Sequence, residues 1–111
     1  ELTCRDWSSD VCSSDLAIFA ASDDMASEII NVAIQQGLRV PRDLSVIGFD
    51  DNPIGLYGSV SLTTIRQPLF KMAEEAVRQL NAIVSGRRHS PVKQVLAPEL
   101  VVRESCASPG A

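Results

Sequence analysis

Apolar and polar positions fall in blocks along this chain, and the period changes from block to block. Residues 17–21, Ala17-Ile18-Phe19-Ala20-Ala21, make a short apolar run that stops at Ser22-Asp23-Asp24, the pattern of a strand buried on both faces. Met25, Ala26, Ile29, Ile30, Ala33 and Ile34 then recur at three- and four-residue spacing, which lays an apolar stripe along a helix. Ser22 or Asp23 is available as its N-cap and Gly37 as its terminator, because short polar side chains accept first-turn N–H groups and glycine adopts positive φ freely. Pro41-Arg42-Asp43 predicts a turn into a second strand over residues 44–49, which also stops at acidic residues, Asp50-Asp51. Strand, helix and strand of these lengths predict a right-handed crossover with parallel strands. Both acidic steps then emerge at one edge of a sheet.

Residues 52–61, with Pro53, Gly55 and Gly58, predict an irregular segment beside that edge. Leu62-Thr63-Thr64-Ile65 favours a strand, and Pro68 suits the start of a helix. Over residues 69–84 the positions Leu69, Met72, Ala73, Ala76, Val77, Leu80, Ile83 and Val84 make an apolar face, which ends at Ser85-Gly86. Residues 92–96 and 100–103 predict two short strands, and the small polar tail from Ser105 predicts disorder, assigned to residues 106–111. The first segment differs from all of this. Residues 1–16 repeat Ser-Ser-Asp without helical or strand periodicity, and residues 5–16 look like a translated sequencing-library adapter. They read as a non-native segment, with residues 17–105 as the C-terminal fragment of a longer domain. The fold class is therefore α/β, an incomplete parallel sheet with flanking helices. Such a piece is expected to be unstable alone, with bare sheet edges.

Composition narrows the function. A formal charge of -4 argues against a phosphate-binding surface, which needs clustered Lys and Arg. No apolar run approaches the roughly 20 residues that span a bilayer, and no basic-then-apolar signal order opens the chain. Cys4, Cys12 and Cys106 lack zinc-type spacing, so neither a metal site nor a disulfide framework is expected. His89 sits in the charged turn Arg87-Arg88-His89 and reads as a solvated loop residue. No cofactor motif and no catalytic residue set is expected. A magnesium-dependent acidic pocket built on Asp50 would need a phosphate-cradling glycine loop, which follows neither strand.

In an open parallel sheet, ligands bind beyond the carboxyl ends of the strands, where helix N-termini bring partial positive charge. A carboxylate there accepts from adjacent hydroxyls of a polyol. Asp23 or Asp24 could equally serve as a helix cap. Asp50 follows a buried strand and precedes no clear helix, so it has no obvious capping role.

Ser22-Asp23-Asp24-Met25-Ala26, Val46-Ile47-Gly48-Phe49-Asp50-Asp51, Leu62-Thr63-Thr64-Ile65-Arg66-Gln67-Pro68 and Pro98-Glu99-Leu100-Val101-Val102-Arg103-Glu104-Ser105, in this order, resemble the LacI/GalR family of bacterial transcriptional regulators. The resemblance implies a periplasmic-binding-protein-like (type I) core of two subdomains, and makes residues 17–105 the C-terminal fragment of its effector-binding and dimerisation domain. It further implies a small-molecule effector between them, a sugar or sugar derivative, and a DNA-binding head upstream. It carries ligand contact to Asp50 and Ser22, with Asp23 beside it and Gln67 at a crossover between subdomains. It assigns the helix over residues 25–36 and the segment over residues 56–59 to a homodimer interface. It also implies a cytoplasmic regulator that meets DNA only through its head, with no membrane contact and no enzymatic role. The alternative is a periplasmic sugar-binding protein of transport or chemotaxis. Val60-Ser61 stands where many members carry Pro-Pro.

Overall fold

The computed structural model describes residues 17–90 and 92–108. The readings of residues 1–16 as non-native and of residues 109–111 as disordered lie outside the described residues. β1 (Ala17–Phe19) and β2 (Ser45–Ile47) pair in parallel, with Ala17 opposite Ser45, Ile18 opposite Val46 and Phe19 opposite Ile47. Between them runs α1 (Asp23–Gln35). Its buried residues Asp23, Ala26, Ile30 and Ala33 fall at helical spacing and face the strands. Gly37, at φ 88°, ends it as the sequence predicts, and the Leu38 N–H donates to the Ala33 carbonyl at 2.9 Å across the turn.

The core is small and lies against this unit. Ala20, Ala26, Ile30, Val46 and Leu62 are buried together, with Ile29, Val40, Leu44 and Val60 packed around them. Val46 and Leu62, at 0% and 1% exposure, each contribute about 1.5–3 kcal/mol by leaving water. Leu62 reaches this core because Pro53–Leu56 forms a short 3-10 helix and the Leu62 N–H then donates to the Gly55 carbonyl at 3.0 Å. The segment expected to be irregular thus contains one ordered turn, capped by Asn52 Oδ1 accepting from the Ile54 N–H at 3.3 Å.

Beyond it, β3 (Thr64–Arg66) pairs antiparallel with β4 (Glu99–Val101), Thr64 opposite Val101 and Arg66 opposite Glu99. α2 (Leu69–Val84) connects them. The second edge of β2 is also occupied. Ile47 bridges to Thr63 in parallel, the Gly48 N–H donates to the Thr63 carbonyl and the Val46 N–H to the Ser105 carbonyl, each at 2.9 Å.

Four expectations are corrected. The tail from Ser105 is ordered at its start: Ser105 is fully buried, its hydroxyl donates to the Val46 carbonyl and accepts from the Thr63 N–H, and Ala107 exchanges hydrogen bonds with Ser45 Oγ. A small side chain is what lets this segment close on β2 and satisfy its backbone groups. Residues 92–96 are not a strand, because an extended segment needs a neighbouring edge to complete its ladder and none lies beside it among the described residues. β1 is not buried on both faces: Ile18 is 39% and Phe19 65% exposed. α2 departs further, since none of its residues is buried.

Candidate functional site

The two acidic steps do converge, but their residues do different work. At the first, Ser22 is extended and caps α1, its Oγ accepting from the Met25 N–H at 3.2 Å. The cap is therefore Ser22, not Asp23 or Asp24, which occupy the first turn where negative charge is favourable. Asp23 turns inward. At 1% exposure, its Oδ1 accepts from Thr64 Oγ1 at 2.6 Å and its Oδ2 from the Asn52 N–H. Its own N–H donates to the Phe49 carbonyl at 3.0 Å. Expected beside the cleft, Asp23 instead clamps the ends of β2 and β3 from inside, with both carboxylate oxygens occupied. Gly48 makes room for it, because a Cβ there would collide with Asp23 and stand 2.8 Å from Leu62 Cδ2.

At the second step the chain leaves β2 with positive φ at two successive residues, 106° at Asp50 and 57° at Asp51. Asp51 lies in the left-handed helical region that Asp tolerates, whereas Asp50 lies outside it, at a cost of roughly 1–3 kcal/mol. Asp50 is exposed. Its N–H donates to the Ile65 carbonyl at 2.9 Å and its Oδ1 accepts from Gln67 Nε2 at 2.6 Å. The structure thus brings Asp50 and Gln67 together at the end of β2. Gln67 also lines an open groove of about 360 Å³ with Phe49, Pro68, Met72 and Pro98. Asp50 does not line that groove but is tied to it through Gln67; a carboxylate whose Oδ2 has no partner among the described residues, a neutral amide and an aromatic wall nearby suit a hydroxyl-rich ligand with an apolar face.

Asp51 lies one residue on, in different surroundings. Its Oδ1 accepts from Arg103 and its Oδ2 from Arg66, each at 2.7 Å. These hydrogen bonds, Arg103 first, hold its carboxyl below the usual carboxylate range, while Asp51 raises Arg66. Arg66 also reaches Glu99 Oε1 at 3.4 Å. The sequence reading missed this network and the part of Thr64 in holding Asp23. Period-two alternation along β3 puts Thr64 and Arg66 on one face and could have drawn attention to both. Nothing local joins Asp51 to Arg103, 52 positions away.

The chain as a whole is similar to known proteins. The family model of the periplasmic binding protein-like domain matches residues 3–106. The HTH-type transcriptional regulator MalR of Streptomyces coelicolor is 46% identical over 92 residues, 83% of this chain and 27% of MalR. A transcriptional regulator CelR–cellobiose complex superimposes with a TM-score of 0.78 at 36% identity, covering 87% of this chain and 29% of CelR. The lac repressor dimer bound to operator and the anti-inducer ONPF gives 0.75 at 30% identity, covering 83% and 32%. The chain spans about a quarter of the length of the curated relatives it matches. It belongs to the periplasmic binding protein-like domain family, as part of an effector domain of the LacI type.

Proposed function

We propose that this chain is the sugar-sensing portion of a LacI-type transcriptional regulator, and that Asp50, assisted by Gln67, contacts the sugar. The single observation that carries this reading is the exposed Asp50 carboxylate, held at φ 106° and hydrogen-bonded to Gln67. Strained, exposed polar residues at a strand end concentrate at ligand sites. Solved relatives support the ligand class: CelR is bound to cellobiose, and a LacI-family regulator of Lactobacillus casei to sucrose and to glucose. Ser22, half-buried at the adjacent cap, is a second contact; Asp23 supports from within.

The wider reading follows the relatives. The regulator is a cytoplasmic homodimer that meets DNA through a separate N-terminal head, and the exposed Met25, Leu56 and Tyr57 contribute to its subunit contact. Sugar binding favours one arrangement of the two subdomains over the other and so changes how the paired heads sit on DNA. The test is calorimetric titration of the full-length protein with cellobiose, sucrose and glucose, alongside operator binding with and without each sugar. Binding of at least one sugar with a change in operator affinity is expected. Failure of all three to bind contradicts the sugar assignment, and binding with no response at the operator contradicts the regulatory one.

A further inference from the structure

Two successive residues at positive φ persist only where their surroundings hold them, and at the end of β2 the holding groups converge on Asp51. Its carboxylate oxygens accept from Arg66 on β3 and from Arg103 just beyond β4. Its N–H donates to Thr64 Oγ1 at 3.3 Å. The Asp51 and Arg103 side chains are only 15% and 16% exposed, so solvent screens this pair less than it screens a surface one. Arg103 is itself fixed, its Nη1 donating to the Leu62 carbonyl at 3.0 Å and its N–H to Thr63 Oγ1 at 2.9 Å. Two segments far apart in sequence therefore grip one carboxylate, next to the residue that faces solvent.

We propose that Asp51 is a positioning residue: by bridging Arg66 and Arg103 it holds the Asp50–Asp51 step at positive φ and so aims the Asp50 carboxylate at the ligand. The aiming role rests on the reading of Asp50 as the ligand contact, while the holding role stands on the geometry alone. With both oxygens taken by guanidinium groups, Asp51 has no direct ligand contact of its own. Adjacent carboxylates thus divide the task. The first is exposed and strained; the second is shielded and paired.

The test compares wild type, Asp51→Ala, Asp51→Asn and Arg66→Ala in the full-length protein. Backbone carbon shifts at residues 50 and 51, and amide exchange at Asp50, report the conformation. Calorimetry with cellobiose, sucrose and glucose reports binding. In Asp51→Ala the left-handed shift signature should vanish and Asp50 exchange should accelerate at least ~10-fold, with the amides of Ile30 and Val46 unchanged. Affinity for whichever of these sugars the wild type binds should fall by a similar factor. Asn, which tolerates left-handed backbone but lacks the charge, should restore part of both. Should Asp51→Ala fail to fold, Arg66→Ala removes one arm from the more exposed side and should produce the same changes at smaller size. Retention of the signature and of slow Asp50 exchange overturns the proposal, as does loss of the signature with unchanged affinity. Loss of the signature in a protein whose wild type binds none of the three sugars supports the holding role and overturns the sugar reading instead.

Discussion

The two helices follow the same sequence logic and end in different environments. α1 has 13 residues and buries four, Asp23, Ala26, Ile30 and Ala33, against β2, the 3-10 turn and Thr64. α2 has 16 residues, carries the longer run of apolar positions at helical spacing, and buries none. Phe70 and Val84 on it are 82% and 77% exposed. An apolar stripe states that a face is to be covered; what covers it depends on which elements stand nearby. α1 is met by β2, by the 3-10 turn Pro53–Leu56 and by Leu62. For α2 no comparable surface lies among the described residues, and Gln79 reaching Gln94 at 2.9 Å is a polar tie rather than a core. The candidate site sits on the packed side of this divide, at the end of β2, with Gln67 on the boundary.

The contrast is open to direct attack. In this 111-residue chain, the amides of Ile30 and Ala33 should exchange about 100-fold more slowly than that of Leu80; equal protection along both helices would remove the distinction. Leu62→Ala should cost about 2–5 kcal/mol in urea unfolding. Gly48→Ala should be comparably damaging, since its Cβ meets Asp23 and Leu62 together. Thr64→Val takes the hydroxyl from the buried Asp23 carboxylate and should cost about 1–3 kcal/mol. A urea series of these variants that falls within error of wild type would show that the core is held elsewhere.

Asp51 gives the contrast a pH dependence. Its carboxyl titrates lower in the folded chain than in the unfolded one, because Arg103 and Arg66 favour the charged form. Its contribution is thus complete above the ordinary carboxylate range and is lost as pH falls through the lower folded value. Asp51→Asn should flatten that acid limb of the stability curve; an unaltered limb would mean the pair contributes nothing. The smallest effect belongs to α2, where Leu80→Ser should change stability by no more than about 0.5 kcal/mol in this chain. A cost near that of Leu62→Ala would show that α2 is packed after all.

Much of the fold is legible in the sequence. The strand–helix–strand order, the ends at Gly37 and Gly86 and the parallel pairing of the first two strands follow from local pattern, whereas the hydrogen bond between Asp50 and Gln67 does not. Contacts between distant segments were not legible. Ser105 looks like the start of a loose tail because its neighbours are small and polar, yet that smallness is what lets it close on Val46. Asp23 looks like a cap or a cleft residue because nothing nearby in sequence announces Thr64 and Asn52 as its partners. Residues 92–96 carry strand-like composition, but strand formation needs a neighbouring edge that composition cannot supply.

The central claim is that the exposed carboxylate of Asp50 holds the ligand. Its most direct test is calorimetric titration of the full-length protein and its Asp50→Ala variant with whichever of cellobiose, sucrose or glucose the wild type binds, with the mass of each assembly measured alongside. Losing a charged hydrogen-bond partner should weaken binding by about 10- to 100-fold with the oligomeric state unchanged. Equal affinity in the two proteins would contradict the assignment of Asp50.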